Sequence, residues 1–425
     1  MPNRVGGRHA RTPVYGMVRR IYLPRTMDAA AFSMSTYGIP LLVLATTSSA
    51  MLTGVAFALE WIPRLLAFAG AGAAVDKHGA TRVFRVAATS RALVVVLAAV
   101  ALTLVTDTTV ATIAVMALAA ITGVLTEYSF IAAETAGGVA SKEAGKHEHR
   151  VQSVLLGIDQ SATLAGPAAG ALLLQYAGRE GMLATIGALS LLAALFAPRT
   201  RRTPVTQSLP TATAHQGLRT GWKTLRALPA LGWLVTGLTL SNLATGMIQA
   251  AAPVIVVQQL GHSTASAGLI WSVAAVASLV AVTLCRFTLD RVGLWPVGVV
   301  WAVIASVAGL TVPQANTYTT FMLVIAVLMA GEGGMTVVLR TLRARLIPSE
   351  VYGATLSMTI LIMLLPFPLA GVLVAVTPPA YLGHVLTACA VLQTLGLALA
   401  FARLRTAPAL RPRPDRLLST SPKDP

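Results

Sequence analysis

The chain has 425 residues, of which 55% are hydrophobic and only 11% are charged, whereas about 25% of the residues of an ordinary soluble domain are charged. So few charges cannot cover the surface of a water-soluble protein of this length, and the composition predicts a surface that mostly faces lipid. Two cysteines exclude a disulfide scaffold or a cysteine metal cluster. A net charge of +17 would favour nucleic-acid binding in a soluble protein, but in a membrane protein the placement of the charges decides its meaning.

Twelve apolar segments follow one another along the chain, separated by short polar breaks. Each is long enough to cross the hydrocarbon core as a helix, and we predict twelve spans. They lie at 27–46, 51–74, 83–105, 110–134, 151–176, 181–197, 229–257, 264–285, 294–313, 319–339, 351–376 and 381–402.

The basic residues give the predicted orientation. If the amino terminus is inside, 29 of the 32 Lys and Arg residues fall in inner segments; Arg179 is outside, and Arg64 and Arg91 lie within spans. The positive-inside rule therefore predicts a multi-pass protein of the cell (inner) membrane with both termini cytoplasmic. The high net charge then reports contact with anionic lipid headgroups of the inner leaflet, and we expect no nucleic-acid partner.

Two short motifs recur half a chain length apart. Asp76-Lys77-His78-Gly79 follows span two and Asp290-Arg291-Val292-Gly293 follows span eight, while Gly166-Pro167-Ala168-Ala169-Gly170 in span five is echoed by Pro368-Leu369-Ala370-Gly371 in span eleven. We therefore predict an all-α membrane fold of two pseudo-symmetric six-helix halves. The predicted boundaries are an inner amino-terminal arm at 1–26, the first half at 27–197, an inner linker at 198–228, the second half at 229–402 and a basic inner tail at 403–425.

The loop after span two resembles a family signature. Gly72, Asp76, Lys77, Gly79 and Arg82 are similar to the pattern Gly-x-x-x-Asp-Arg/Lys-x-Gly, followed by basic residues, of the major facilitator superfamily. The length and the six-plus-six layout agree with this resemblance, which implies a secondary transporter. It also implies that this loop latches the two halves on the inner side. The echoed residues of the second half are Asp290, Arg291 and Gly293.

Span five carries a resemblance that bears on the direction of transport. Gly166, Pro167 and Gly170 are similar to the motif Gly-x-x-x-Gly-Pro-x-x-Gly-Gly of proton-coupled exporters in that superfamily, with Ala162 and Ala171 in place of two glycines. The resemblance implies export. The alternative is that these small residues only allow helices to pack closely.

Two narrower resemblances concern the substrate. The segment 49–76 and the triplet Ile158-Asp159-Gln160 resemble bacterial siderophore exporters of the enterobactin type, and the triplet together with Asp28 also resembles ferroportin, an iron exporter. Ferroportin's metal sites include Cys and His on spans seven and eleven, and neither residue type occurs in those spans here. The resemblance therefore favours an organic substrate over a metal ion.

Charged residues inside spans are costly, so each is a functional candidate. Glu60 and Arg64 are one helical turn apart and are expected to neutralise each other, either as a static pair or in gating and substrate binding. Arg91 and Glu127 lie at comparable depth on consecutive spans, and we expect them to pair as well.

Two carboxylates are candidates for a transported proton. Asp159, beside Gln160, has no basic residue within a turn in sequence, so it is expected either to be unpaired and proton-binding or to be hydrogen-bonded to a neighbouring helix. Glu332 lies among Gly331, Gly333 and Gly334, which would let backbone or water approach its carboxyl.

Asn242 and Gln249 share one face of span seven and either line a cavity or tie helices together. The complete candidate cavity set is Asp28, Glu60, Arg64, Asp159, Gln160, Asn242, Gln249 and Glu332.

These observations predict a secondary transporter that exports a small organic molecule, a siderophore or a drug-like compound, and uses the proton gradient. We expect a monomer with no cofactor and no bound metal. Neither a phosphate-binding loop nor a nucleophile motif is present, so we expect neither an ATP-driven pump nor enzymatic activity. An uncoupled facilitator, an importer or a metal-ion exporter are alternatives within transport. A membrane sensor or a membrane enzyme is the alternative outside it.

Overall fold

The structure is a computed structural model that describes residues 17–105, 107–143, 148–198, 214–348 and 351–405. Most of the predicted arm and tail, and about half of the predicted linker, lie outside these residues. So do the side chains of Asp76 and Asp290, although the helices that carry them are described.

Twelve long helices, numbered α1 to α12, account for most of the described residues, and a shorter linker helix lies between α6 and α7. In the first half the helices are α1 Leu23–Thr47 (preceded by the helical turn Val18–Tyr22), α2 Ala50–His78, α3 Ala80–Leu104, α4 Thr108–Glu143, α5 Glu148–Tyr176 and α6 Gly178–Phe196. The linker helix is Ala214–Ala227. In the second half they are α7 Pro229–Val254 (continued by the turn Ile255–Gln259), α8 Thr264–Val292, α9 Leu294–Thr311, α10 Tyr318–Leu346, α11 in two segments, α11a Tyr352–Leu364 and α11b Pro366–Val376, and α12 Leu382–Leu404.

The predicted all-α membrane fold is confirmed. Within the described residues, eleven helices are long and apolar enough to cross a membrane. The helix outside that set is α5, whose 29 residues give ample length but include Asp159 and Gln160 near its middle. The first candidate span begins at Val18, earlier than the predicted residue 27, so Arg25 belongs to a membrane helix and not to the arm.

The helices pack in the same pattern in both halves. In the first half α1 packs on α5 and α6, α2 on α4, and α3 on α4 and α6. In the second half α7 packs on α11b and α12, α8 on α10, and α9 on α10 and α12. Each contact of the first half therefore has its counterpart six helices later, as two repeats of one packing unit require.

Two helix pairs make the largest contacts between the halves, and they are equivalent under the same repeat: α2 with α11b, and α5 with α8. Both contacts are backbone to backbone. A Cβ added at Gly371 would lie 2.6 Å from the amide nitrogen of Ala58, and one added at Gly268 would lie 2.5 Å from the carbonyl oxygen of Pro167. The two echoed small-residue motifs thus lie in the two contacts between the halves.

Further hydrogen bonds join the halves at the membrane side opposite the basic segments, which we call the outer side. The Gln258 side chain donates to the Ser48 carbonyl oxygen at 2.8 Å, and the Ala265 amide donates to the Gln175 side chain at 3.1 Å. The described structure is therefore closed at the outer side.

The two repeated acidic loops share one backbone feature. Gly79 has φ of 83° between α2 and α3, and Gly293 has φ of 96° between α8 and α9. Glycine adopts this left-handed region without steric cost, so each motif ends one helix and redirects the chain into the next.

Candidate functional site

Arg25 links three helices near the inner end of the first half. Its Nε and Nη2 donate to the two carboxylate oxygens of Asp159 on α5, at 2.8 and 2.7 Å, and Nη2 also donates to Glu134 on α4. Of the two alternatives expected for Asp159, the structure shows the second, a carboxylate hydrogen-bonded to a neighbouring helix. Its partner lies 134 positions away in sequence and reaches it only through the packing of α1 on α5.

Arg91 is a second buried cation, and its side chain is fully shielded from solvent. Nη2 donates to Asp28 on α1 at 2.6 Å, Nε to Ser190 on α6 at 2.9 Å and Nη1 to Ser129 on α4 at 3.3 Å. The expected pairing of Arg91 with Glu127 is wrong. Because its donors reach three other helices, Arg91 holds α1, α3, α4 and α6 in one arrangement.

Arg64 on α2 pairs with Glu127 on α4, its Nε donating to the carboxylate at 2.6 Å. Its guanidinium also lies 4.8 Å from the ring centre of Phe32 and 4.6 Å from that of Trp61. The expected hydrogen-bonded pair between Arg64 and Glu60 is not formed. The cation–π contacts and the carboxylate of a different helix fix the guanidinium instead.

Glu60 is left as a buried carboxyl, 4% exposed, whose Oε2 has no hydrogen-bond partner among the described residues. Thr36 and Arg64 are its polar neighbours. Since the hydrogen bond of Arg64 goes to Glu127, one arginine lies beside two carboxylates. The charge balance of the site therefore allows it to bind one more positive charge or a proton.

Aromatic side chains from the two halves meet beside Glu60. Trp61 on α2 stacks on Phe367 of α11b with ring centres 4.4 Å apart, and Tyr37 on α1 lies 5.4 Å from Trp271 on α8. A cavity of about 10 Å³ lies between α1, α2, α7 and α8, and the predicted cavity residue Gln249 lines it. This volume holds at most one water, so a larger occupant requires the two halves to separate here.

Unsatisfied polar atoms concentrate at the same place. Six of the eight buried side-chain polar atoms that lack a partner in the described part of the chain belong to three helices, α1, α2 and α7. They are carried by Ser33, Thr36, Glu60, Trp61, Arg64 and Thr245. Buried polar groups are nearly always hydrogen-bonded, and leaving them unpaired costs free energy, so such a concentration is typical of a site that binds water or a ligand.

Glu332 forms a separate polar cluster inside the second half. It accepts hydrogen bonds from Ser241 on α7 and, at 3.3 Å, from Gln393 on α12, and Gln393 also donates to Ser241 at 2.8 Å. No Lys or Arg of the described residues lies within ion-pair distance of Glu332. The sequence did not single out Ser241 or Gln393, because isolated amide and hydroxyl residues in apolar spans carry no spacing signal.

Asn242 ties helices together, one of its two predicted roles. Its side-chain amide donates to the carbonyl oxygen of Met363 at 2.7 Å, beside the break in α11. Pro366 and Pro368 lack amide hydrogens there, so the helix cannot continue its own hydrogen-bond ladder. The two prolines leave the carbonyls of Ile362 and Leu364 without ladder donors, and Asn242 binds the Met363 carbonyl between them, so it ties α7 to the break.

The export motif of α5 serves packing in this structure. A Cβ at Gly166 would overlap Ser33 of α1, and one at Gly170 would lie 3.3 Å from the carbonyl oxygen of Met34. Pro167 lies inside α5 without interrupting it. These contacts agree with the alternative interpretation of the motif and leave its link to export a prediction.

The inner latch also stays a prediction. Lys77, Arg82 and Arg291 are exposed, and the carboxylates of Asp76 and Asp290 lie outside the described side chains. No atom lies within 4 Å of a Cβ built on Gly72. Among the described residues, no other helix therefore approaches Gly72 closely in this conformation.

A larger cavity, about 660 Å³, opens at the outer ends of α1, α3 and α4. Thr46, Thr103, Thr112 and Arg179 line it. Arg179 is already bound to Glu180 at 2.7 Å and to the Leu102 carbonyl oxygen at 2.8 Å. None of the buried charges described above lines this cavity, and Arg179, the one cation among its described lining residues, already has partners.

No group of three or more His, Cys, Asp or Glu that could hold a metal ion is found among the described residues. The two cysteines, Cys285 and Cys389, are buried and not joined to each other. The described part of the chain therefore gives the metal-exporter alternative no support from such a cluster.

The Major Facilitator Superfamily family model matches residues 25–401. The chain belongs to the Major Facilitator Superfamily. By sequence, no curated protein matches it. Membership in this family of secondary transporters indicates a transporter and not an enzyme.

Solved structures of the superfamily share the fold at low identity. A mutant of the nucleoside transporter NupG is 14% identical, with a TM-score of 0.70 over 89% of this chain and 99% of that one. A bacterial homologue of the iron transporter ferroportin in an inward-facing state is 15% identical, with a TM-score of 0.72 over 91% of this chain and 97% of that one. A D-xylose-proton symporter is 17% identical, with a TM-score of 0.68 over 88% of this chain and 96% of that one. Such different cargoes on one fold show that the fold does not name the substrate.

Proposed function

We propose that the protein is a proton-coupled exporter of a small amphiphilic organic molecule that works by alternating access between its two halves. The observation that carries the proposal is the buried Glu60 carboxyl, without a hydrogen-bond partner for Oε2, among aromatic rings that come from both halves. A ligand held there would contact both halves, and its binding would respond to their relative position.

Charge balance favours a cationic group on the substrate. Arg25, Arg64 and Arg91 each have a carboxylate partner in Asp159, Glu127 and Asp28 respectively, and Glu60 remains without one. A buried carboxylate without its own cation is costly, so it binds either a proton or a positively charged group. Between the two substrate classes that the sequence suggested, a basic, drug-like amphiphile fits this site better than a siderophore, whose iron-binding oxygens are anionic.

Competition between a proton and a cation at one carboxyl would provide coupling. A proton that enters from outside and binds Glu60 would displace the cation, so inward proton flow would drive outward release. Glu332 is the second proton candidate, since it is also buried and without an arginine partner in the described structure. Asp159 becomes less favoured than it was from sequence, because Arg25 binds both of its oxygens.

Other modes of transport remain as alternatives. The D-xylose-proton symporter among the structural neighbours represents coupled import, and an uncoupled facilitator would need neither carboxyl. A ferroportin-like metal exporter is favoured by one neighbour's fold but by no metal-binding cluster among the described residues.

The experiment compares two ions of nearly the same shape and opposite charge, tetraphenylphosphonium and tetraphenylborate, as ligands of the purified full-length protein in detergent. Wild type is expected to bind the cation and not the anion. Because a proton competes for Glu60, binding of the cation should weaken about tenfold for each pH unit of acidification while the carboxyl is protonated. Glu60→Gln should remove both the binding and its pH dependence.

Glu180→Gln is the matched control, since it makes the same change at a carboxylate that is 44% exposed. It should bind the cation as wild type does. Equal binding of the cation by Glu60→Gln, or preference of wild type for the anion, would refute the role of Glu60. Thermal unfolding of each variant checks that it remains folded.

A further inference from the structure

The linker helix Ala214–Ala227 has two faces with different partners. Gly221 and Leu225 are buried, whereas Arg219, Trp222, Lys223 and Arg226 are exposed. Positions three and four apart lie on one side of a helix, so the exposed residues form one stripe and the buried ones another. We call the stripe of Arg219, Trp222, Lys223 and Arg226 the basic face.

The buried stripe is fixed on α11a. A Cβ added at Gly221 would lie 2.9 Å from the Cβ of Met358 and would overlap the carbonyl oxygen of Ala354. The linker helix therefore rests directly on the α11a backbone, and Leu225, 5% exposed, is enclosed beside it. This contact leaves the basic face pointing away from α11a.

The basic face combines the side chains that lie at a membrane surface. It has three cations and no acidic residue, and the guanidinium of Arg226 lies 4.8 Å from the ring centre of Trp222. Trp222 is 39% exposed, although burial of such a ring is favourable. Tryptophan prefers the headgroup level of a bilayer, and lysine and arginine beside it attract anionic lipid.

Chain geometry places this face close to a bilayer. The membrane span of α7 begins at Pro229, two residues after the linker helix ends at Ala227. So short a connection keeps the carboxyl end of the linker helix within a few ångströms of the level where α7 enters the hydrocarbon.

We propose that the basic face binds the headgroups of anionic phospholipids in the leaflet next to the linker helix. Through Gly221 and α11a, this contact connects the lipid surface to the helix that is broken at Leu365. Its outer segment, α11b, packs on α2 between the two halves. The bound lipid would therefore hold the α11a end of α11 in place, while its other segment, α11b, closes the transporter on the outer side. The proposal is independent of the substrate and of proton coupling.

The test uses the full chain reconstituted in vesicles of phosphatidylcholine with a fixed fraction of brominated lipid, either brominated phosphatidylglycerol or brominated phosphatidylcholine. Bromine quenches a tryptophan that it touches. Wild-type fluorescence should be quenched more by the brominated anionic lipid. The excess should disappear in Trp222→Phe and in the triple variant Arg219→Gln, Lys223→Gln, Arg226→Gln, because each basic residue near an anionic surface adds about fivefold to the local affinity.

A second triple variant, Arg19→Gln, Arg20→Gln, Arg405→Gln, is the matched control. It removes as many exposed charges outside the linker helix and should keep the excess quenching. Added salt should reduce the excess in wild type, since exposed charges are screened. Equal quenching by the two brominated lipids in wild type, or an excess that persists in the basic-face triple variant, would overturn the proposal. If the basic face instead binds an acidic protein segment, the two brominated lipids should quench the wild-type fluorescence equally.

Discussion

Individual buried charges were recognisable in the sequence, but their partners were not. Asp28, Glu60, Arg64 and Glu332 stand out because charges inside apolar spans are costly, and all four are buried. The pairings depend on which helices touch. Arg64 binds a carboxylate 63 positions away, although Glu60 is only one turn distant. Local spacing therefore predicted the candidates and failed to predict the ion pairs.

At this scale the structure predicts that Arg91 is structural. Arg91→Met should destabilise the protein by about 3–5 kcal/mol, because it leaves the Asp28 carboxylate buried without a countercharge. The double variant Arg91→Met, Asp28→Asn should recover much of that loss, since no buried charge remains. Unfolding in detergent measures both. Equal destabilisation in the single and double variants would show that the Asp28 interaction contributes little.

Helices were the most predictable elements, because apolar length determines where a chain crosses a membrane. The predicted spans match the helices within a few residues over most of the chain. The main differences are the inner ends of α4, α8 and α10, which extend to Glu143, Val292 and Leu346 and not to the predicted 134, 285 and 339, and the break of α11 at Leu365 between two segments. Hydropathy does not predict such a break, but Pro366 and Pro368 do, because proline lacks the amide hydrogen that a helix needs.

The echoed small-residue motifs yield a prediction for the outer contact. Gly371→Val should prevent α11b from approaching α2, since even a Cβ would lie 2.6 Å from the Ala58 amide nitrogen. The outer side should then open more often. A cysteine at Gln249, in the small cavity between the halves, should react several-fold faster with a membrane-impermeant maleimide added outside.

Gly383→Val is the control for this experiment, because no atom of a neighbouring element among the described residues lies within 4 Å of a Cβ at that position. It should leave the labelling rate unchanged. A Gly371→Val protein that labels as slowly as the control would show that α2 and α11b do not form the outer closure.

On the scale of the whole molecule, the family signature and the six-plus-six layout were sufficient to predict the fold. The candidate site was only partly predictable. Glu60 and Gln249 were selected from sequence. Thr36 and Trp61 lie in the same half as Glu60 but carry no charge that marks them, and Phe367 meets Trp61 only when the halves pack. The halves contact one another through α2 with α11b and α5 with α8, and the site beside Glu60 lies where these contacts meet α1 and α7.

The most direct test of proton-coupled transport is the accumulation of ethidium, an aromatic organic cation, above its outside concentration in vesicles that contain the purified protein. The membrane potential is held at zero and the interior is acidic. Wild type should accumulate ethidium only while the pH gradient lasts. Glu60→Gln should lose transport, whereas Glu332→Gln should keep gradient-driven accumulation, because the proton and the cation compete at Glu60. Loss of accumulation with retained exchange in Glu332→Gln would instead assign the proton to Glu332. Wild-type accumulation that is the same with and without the pH gradient would contradict proton coupling and leave a facilitator.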